Sequence, residues 1–395
     1  VVNRTDQPLS PVVDVSLRSP DGVLTSALHG AGSLGSGERR RVRFAVPIRG
    51  HVRLWSPGHP ALYRALVRAT VGDRVEQSER RSVGLRLVQV RHGRLYLNGR
   101  RLNARGASFH EDLPGQGAAL DDSGLDRIFR DLRRLHAQVV RAHYLISQPL
   151  LDRFDRAGIL VWSEAPNWQN DDLLRDPAGR AHALDLVRRT VVEARSHPSV
   201  FVHSVANELC LFAGRSYPAG SRTFLRDAVG VARGADPTLP VATTFNLPNP
   251  PCRDAYRYFD VLGDNAYLGW YGNAPVRTFR HRLDFLRRRY RRQALVVSEF
   301  GAEAFRNGPA GEKGTYGFQK RWAKAALDVL DRIPYLSSAL YWTSREFRID
   351  AGWCGGVCRG ADNTLHQKGL FSYDGSLKPA GALVAARFAR WRPLR

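Results

Sequence analysis

From about residue 91 onward the chain alternates two hydrophobic rhythms. Runs that are apolar nearly throughout (RLNARGASFH, AQVVRAHY, GILVWSEA, VFVHSVANE, LPVATTFN, FDVLGDNAY, ALVVSEFG and LSSALYWTSREF) predict eight short strands. Strands of this kind belong to a parallel sheet covered on both faces. Between several of them apolar residues recur at i, i+3 and i+4, as in SGLDRIFRDLRRL and ALDLVRRTVVEARS, which predicts amphipathic helices. Eight strands with intervening helices over roughly 300 residues point to an α/β fold, the (β/α)8 TIM barrel. A doubly wound open sheet is the competing architecture, and the count of eight weighs against it. Residues 1–90 follow a different rule. VVDVSLRSP, RRVRFAVP and LYRALVRATVG alternate apolar and polar positions between turns rich in Gly, Pro and Asp. About seven such strands predict a small all-β, immunoglobulin-like sandwich ahead of the barrel at 91–395. No catalytic cluster lies in it.

Composition adds constraints. The 395 residues are 43% hydrophobic and 25% charged, enough for a sizeable core. No apolar run approaches the ~18–20 residues that cross a bilayer. The chain contains no Met, so Val1 is not expected to be a native start, and something is expected to precede it. The formal charge of +23 comes almost wholly from Arg. Those arginines are spread along helix faces, as in RIFRDLRRLHAQ and FRHRLDFLRRRYRRQ, and no nucleic-acid motif accompanies them. The charge therefore reads as a solvated surface, with a basic nucleic-acid module as the rival class. The expected partner is a carbohydrate, with neither nucleic acid nor membrane. Cys210, Cys252, Cys354 and Cys358 form no metal motif. They fit disulfides in an exported protein and fit buried thiols almost as well. The His spacing makes no metal site.

The chemistry is read at two strand ends. HPSVFVHSVANEL is an apolar run that stops on Asn207-Glu208, and ALVVSEFGAEA places Glu299 at the end of another. In a (β/α)8 barrel, active groups project from the C-terminal ends of the strands. These are the fourth and seventh strands, so the two glutamates can face one another over one pocket. Opposed carboxylates suit glycoside hydrolysis, and in the retaining form they stand about 5–5.5 Å apart. An ionised Glu299 would keep Glu208 protonated.

HPSVFVHSVANE resembles the acid/base motif of glycoside hydrolase family 2, and VVSEFGAEA resembles its nucleophile motif. RLWSPGHPALYRALV, LYLNGRRLNARGASFHED and VVRAHYLISQPLLDRFDRAGILVWSEAP resemble, in order, the end of its sandwich, the entry to its barrel, and its second and third strands. The resemblance implies a retaining exo-β-glycosidase that needs no organic cofactor, with Glu208 as general acid/base and Glu299 as nucleophile. It implies that Asn207 bonds the sugar 2-hydroxyl, that Arg141 and His143 line the floor, that Tyr267 stands beside the nucleophile, and that Trp342 lies under the sugar ring. A catalytically silent carbohydrate-binding protein is the rival of another class.

DNAYLGWYG, with Asn265, Tyr267 and Tyr271, looks most like the β-glucuronidase branch, as does Asp112 in FHED. LHQKGLFSYDGSLKP resembles that branch's carboxylate-reading loop, with Lys368 as the matching lysine. His366 stands where an Asn is expected, and Asp362 where an Arg is expected. A protonated His366, or Arg345, would then have to supply the second cation; otherwise the substrate is a neutral β-hexoside such as a galactoside. The insertion RIDAGWCGGVCRGADN reads as a disulfide-stiffened rim or as a plain surface loop.

Overall fold

The structure is a computed structural model that describes all residues except 212–218, 247–251, 353–355 and 395. The chain divides into two units, Val1–Arg86 and Leu87–Arg395.

The first unit is built on one antiparallel sheet with strand order Leu24–Gly30, Val12–Arg18, Tyr63–Val71, Arg74–Val83. The last two strands form a hairpin that turns at Gly72, whose φ of 56° suits a residue without a Cβ. Leu34, Trp55 and Tyr63 are buried at its core. The expected strand RRVRFAVP does not form: residues 41–47 alternate in exposure but join no ladder. Alternation identifies the buried face of an extended segment, but a strand also needs a partner at the right register. The described segments outside the sheet are joined through isolated bridges, such as Val2 to Arg39 and Leu9 to Leu34.

The second unit is a closed parallel barrel of eight strands. They are Ala104–Ser108, Val139–Arg141, Leu160–Glu164, Val200–Asn207, Val241–Phe245, Val261–Asn265, Ala294–Phe300 and Leu336–Tyr341, one inside each predicted run. The eighth closes on the first through Ser338 opposite Ala104. All eight strands are buried along their length, which is why most of them read as largely apolar runs. A short antiparallel sheet, Val88–Arg91, Arg94–Leu97 and Arg100–Arg101, precedes the barrel and belongs to the same unit. Its Leu95 and Leu97 are fully buried, and the Leu95 amide donates to Ser337 Oγ.

Helices cover the outside. Asp122–Arg134 starts where Asp121 accepts from the Gly124 amide, buries Leu125, Ile128 and Leu132, and ends in arginines that complement its dipole. Gln148–Ala157 stops at Gly158, in the left-handed region at φ 70°. His197, at the entry to the fourth strand, fastens that helix: its Nδ1 lies 2.7 Å from Asp155 and its Nε2 2.8 Å from Gln148. No described helix is long and apolar enough to cross a membrane.

Candidate active site

The C-terminal ends of the second, third, fourth, sixth and seventh strands bring one polar cluster together in the barrel mouth. At its centre is Arg141, with a fully buried side chain. Its Nη1 donates to Glu299 Oε1 at 2.7 Å. Its Nε and Nη2 donate to the two oxygens of Glu164 at 3.1 and 3.0 Å, and Nη2 also reaches Asn207 Oδ1 at 2.8 Å. Two carboxylates are therefore held by one cation, with the bidentate face given to Glu164. Glu164 also accepts from Trp162 Nε1 at 3.1 Å and lies 2.8 Å from His143 Nδ1. Burial alone would raise its pKa, but Arg141 and His143 bring it below the usual carboxylate range. The other oxygen of Glu299 accepts from the Tyr267 hydroxyl at 2.5 Å. Burial and the neighbouring Glu299 push the Tyr267 phenol well above its ordinary pKa, so it remains a donor.

Glu208 sits one residue beyond the fourth strand in the left-handed region, at φ 53°. In a regular strand Asn207 and Glu208 would point to opposite faces. Here the register against the fifth strand shifts between Ser204 and Asn207, and the left-handed turn brings both side chains to the same neighbour. Asn265 Nδ2 donates to Asn207 Oδ1 at 3.0 Å and to Glu208 Oε1 at 2.9 Å, while its own Oδ1 accepts from Ser298 at 2.7 Å. Gln169 Nε2 donates to Glu208 Oε2 at 2.7 Å. Glu208 is 7% exposed, and burial, followed by the charge of Glu299, raises its pKa. A guanidinium can only donate, so Arg141 fixes the Asn207 amide with its oxygen inward. Its NH2 group donates to none of the described residues.

The remaining predicted residues are placed differently from one another. Lys368 is fully buried, with Nζ 2.6 Å from the Tyr271 hydroxyl and 3.7 Å from Glu303. It lies over the rings of Tyr267, Trp270 and Tyr271 at 5.4, 5.7 and 4.7 Å. Burial draws its pKa down to about 8, against the opposing pull of Glu303. His366 corrects an expectation. Its Nε2 lies 3.0 Å from Trp342 Nε1, its ring stacks on Phe347, and burial followed by the charge of Lys368 takes its pKa well below normal. It is a neutral residue holding Trp342, not a cation. Arg345 corrects the other: it is bound to buried Asp131 and to the Tyr373 carbonyl, so its charge is already matched inside the fold. Asp362 is exposed and accepts from the Thr364 amide and hydroxyl. Asp112 accepts from the Arg348 amide at 2.6 Å and from the Tyr373 hydroxyl at 3.3 Å. Trp342 is 5% exposed, with His143 4.7 Å from it between ring centres. Cys354 of the expected rim lies outside the described residues. Cys210, two residues after Glu208, forms a disulfide with Cys252.

Several residues around these went unread in the sequence, among them Glu164, Gln169 and Trp168, the last with its ring 6.4 Å from that of His143. Glu164 carried the signal that revealed Glu208 and Glu299, an apolar run ending on a carboxylic acid (GILVWSEA). Gln169 and Trp168 lie in the loop that follows, where no periodicity marks them.

The family model described as "Glycosyl hydrolases family 2, TIM barrel domain" matches residues 88–326, and that described as "Glycosyl hydrolases family 2" matches residues 1–86. Among curated proteins, a β-glucuronidase of Paenibacillus borealis is 27% identical over 358 residues, covering 86% of this chain and 58% of that protein. The β-glucuronidase of Rattus norvegicus is 28% identical over 358 residues, covering 86% of this chain and 52% of its own. The chain thus spans little more than half the length of these relatives. Among solved structures, a β-galacturonidase from Eisenbergiella tayi bound to galacturonate superposes with a TM-score of 0.88 at 22% identity, over 100% of this chain and 69% of that one. That likeness speaks for the fold.

Proposed function

This chain belongs to glycoside hydrolase family 2, and from that premise we propose that it is the catalytic part of a retaining, exo-acting β-glycosidase. One observation carries the reading. Glu299 is gripped by Arg141 and Tyr267, while Glu208, linked to the same cluster through Asn265, has its proton affinity raised by burial and by Glu299. Two carboxyl groups in unlike environments are what acid and nucleophile require.

In the first step a carboxylate oxygen of Glu299 attacks the anomeric carbon. The glycosidic C–O bond breaks, and the proton of Glu208 passes to the departing oxygen. In the second step water attacks that carbon and gives a proton to Glu208, and Glu299 leaves as carboxylate. Asn207, its oxygen held by Arg141, offers its NH2 to the 2-hydroxyl. Trp342 supplies an apolar face under the ring, braced by His366.

We favour a β-glucuronide-type substrate, because Lys368 in its aromatic cage is a buried cation next to Tyr267. A neutral β-hexoside such as a galactoside is the second reading, favoured by Glu303, whose carboxyl lies 3.7 Å from that cation. A panel of nitrophenyl β-glycosides decides the sugar. Incubation with the matching 2-deoxy-2-fluoro glycoside, followed by peptide mass spectrometry, tests the mechanism: the label is expected on Glu299. A label on Glu208, or no turnover of any β-glycoside alongside retained sugar binding, refutes it.

A further inference from the structure

Trp168 is 56% exposed, an unusual state for the largest apolar side chain, whereas Trp342 in the same mouth is 5% exposed. It is nevertheless held in place. Residue 168 forms a parallel bridge with Asn207: the Asn207 amide donates to the Asn167 carbonyl at 2.8 Å, and the Gln169 amide donates to the Asn207 carbonyl at 3.2 Å. Asn167 is anchored in turn by its Nδ2, which reaches the carbonyls of Ala183 and Val205 at 3.3 and 3.1 Å. The next side chain, Gln169, holds Glu208. The backbone that carries the exposed indole is therefore fixed to the strand that carries Asn207 and Glu208.

The rings Trp342, His143 and Trp168 follow one another across the mouth. His143 lies 4.7 Å from Trp342, and 6.4 Å from Trp168 at an interplanar angle of 21°. From this we infer that Trp168 is the floor of a leaving-group subsite, which takes aglycones with a flat apolar face, either an aromatic ring or the C–H face of a second pyranose. The inference rests on the proposed glycosidase mechanism. Glu208 delivers its proton to the leaving oxygen, so whatever that oxygen carries lies on the side of Glu208. Trp168 is fixed to that side and offers an open aromatic face, which binds flat partners with little loss of side-chain freedom.

The test compares three substrates of one sugar in wild type, Trp168→Ala and Trp168→Phe: an aryl β-glycoside, a β-linked disaccharide, and the glycosyl fluoride. The fluoride has the same glycone but no aglycone. In Trp168→Ala the ratio of kcat/KM for the aryl glycoside to that for the fluoride is expected to fall about tenfold, with most of the loss in KM, and Trp168→Phe restores most of it. A parallel fall for the disaccharide identifies sugar as an aglycone that the subsite takes; a fall for the aryl glycoside alone restricts it to aromatic aglycones. An unchanged ratio for both, or equal losses on all three substrates, overturns the inference while leaving the glycosidase reading standing. If the wild type cleaves none of the three, the glycosidase reading itself falls, and the subsite with it.

Discussion

Glu164→Gln separates a structural pair from the proposed catalytic one. The substitution keeps the size of the side chain and removes the charge that answers two nitrogens of Arg141 at 3.1 and 3.0 Å, in a place where Arg141 and Glu164 are 0% and 1% exposed at the side chain. Breaking a buried pair by removing one partner costs about 3–5 kcal/mol. A barrel unit of roughly 300 residues unfolds with about 2.1 cal/mol/K of entropy per residue, so this corresponds to a Tm lower by roughly 5–8 °C. Glu164 has its pKa lowered in the folded state, so its contribution is present above the ordinary carboxylate pKa and is lost as pH falls through the folded value. The gap in Tm between wild type and variant is therefore full at neutral pH and closes below about pH 4. Arg141 also orients Glu299 and Asn207, so a guanidinium displaced by about an ångström lowers kcat by roughly 10²-fold. Scanning calorimetry at several pH values, with initial rates on an aryl glycoside, measures both. Equal melting temperatures at pH 7, or a gap that widens on acidification, would show that Arg141 does not depend on Glu164 and would refute the reasoning.

Glu208 has its pKa raised in the folded state, so the folded protein holds that proton more tightly than the unfolded chain and loses stability as pH rises through this window. Glu208→Gln should therefore melt higher than wild type at neutral pH, lose the alkaline limb of the rate profile, and slow glycosides with poor leaving groups by roughly 10²–10⁴-fold. Lys368→Met should lower kcat/KM for a β-uronide by roughly 10–10²-fold, the worth of a charge-assisted hydrogen bond, and lower that for the neutral hexoside far less. Arg345→Met should cost about 3–5 kcal/mol by stranding Asp131 and leave the uronide-to-hexoside ratio where it was; a shifted ratio would reinstate Arg345 as a substrate reader. Replacing both Cys210 and Cys252 with Ser opens a loop of 42 residues and should cost about 2–4 kcal/mol in a denaturation series.

The barrel was legible in the sequence because parallel strands buried on both faces are mostly apolar, so most of the eight betray themselves as apolar runs. The meeting of Glu208 and Glu299 at one end of the barrel was legible for a related reason: an acid that closes such a run is costly to bury inside the barrel and lies at its mouth. The first unit was less legible. RRVRFAVP alternates properly, yet alternation carries no information about whether a partner strand lies alongside. Tertiary structure alone decided how the charges were matched. His366 and Arg345 looked like spare cations in the chain. One is kept neutral by burial and by Lys368, and the other is bound to Asp131, 214 residues earlier in the sequence. The same holds for Gln169 and Trp168, which reach the site only because their loop pairs with the backbone of Asn207. Hydrophobic period is a local property of the chain, and it fixed the frame. Pairing among buried charges depends on distances between strands far apart in sequence, so it exists only once the barrel has closed.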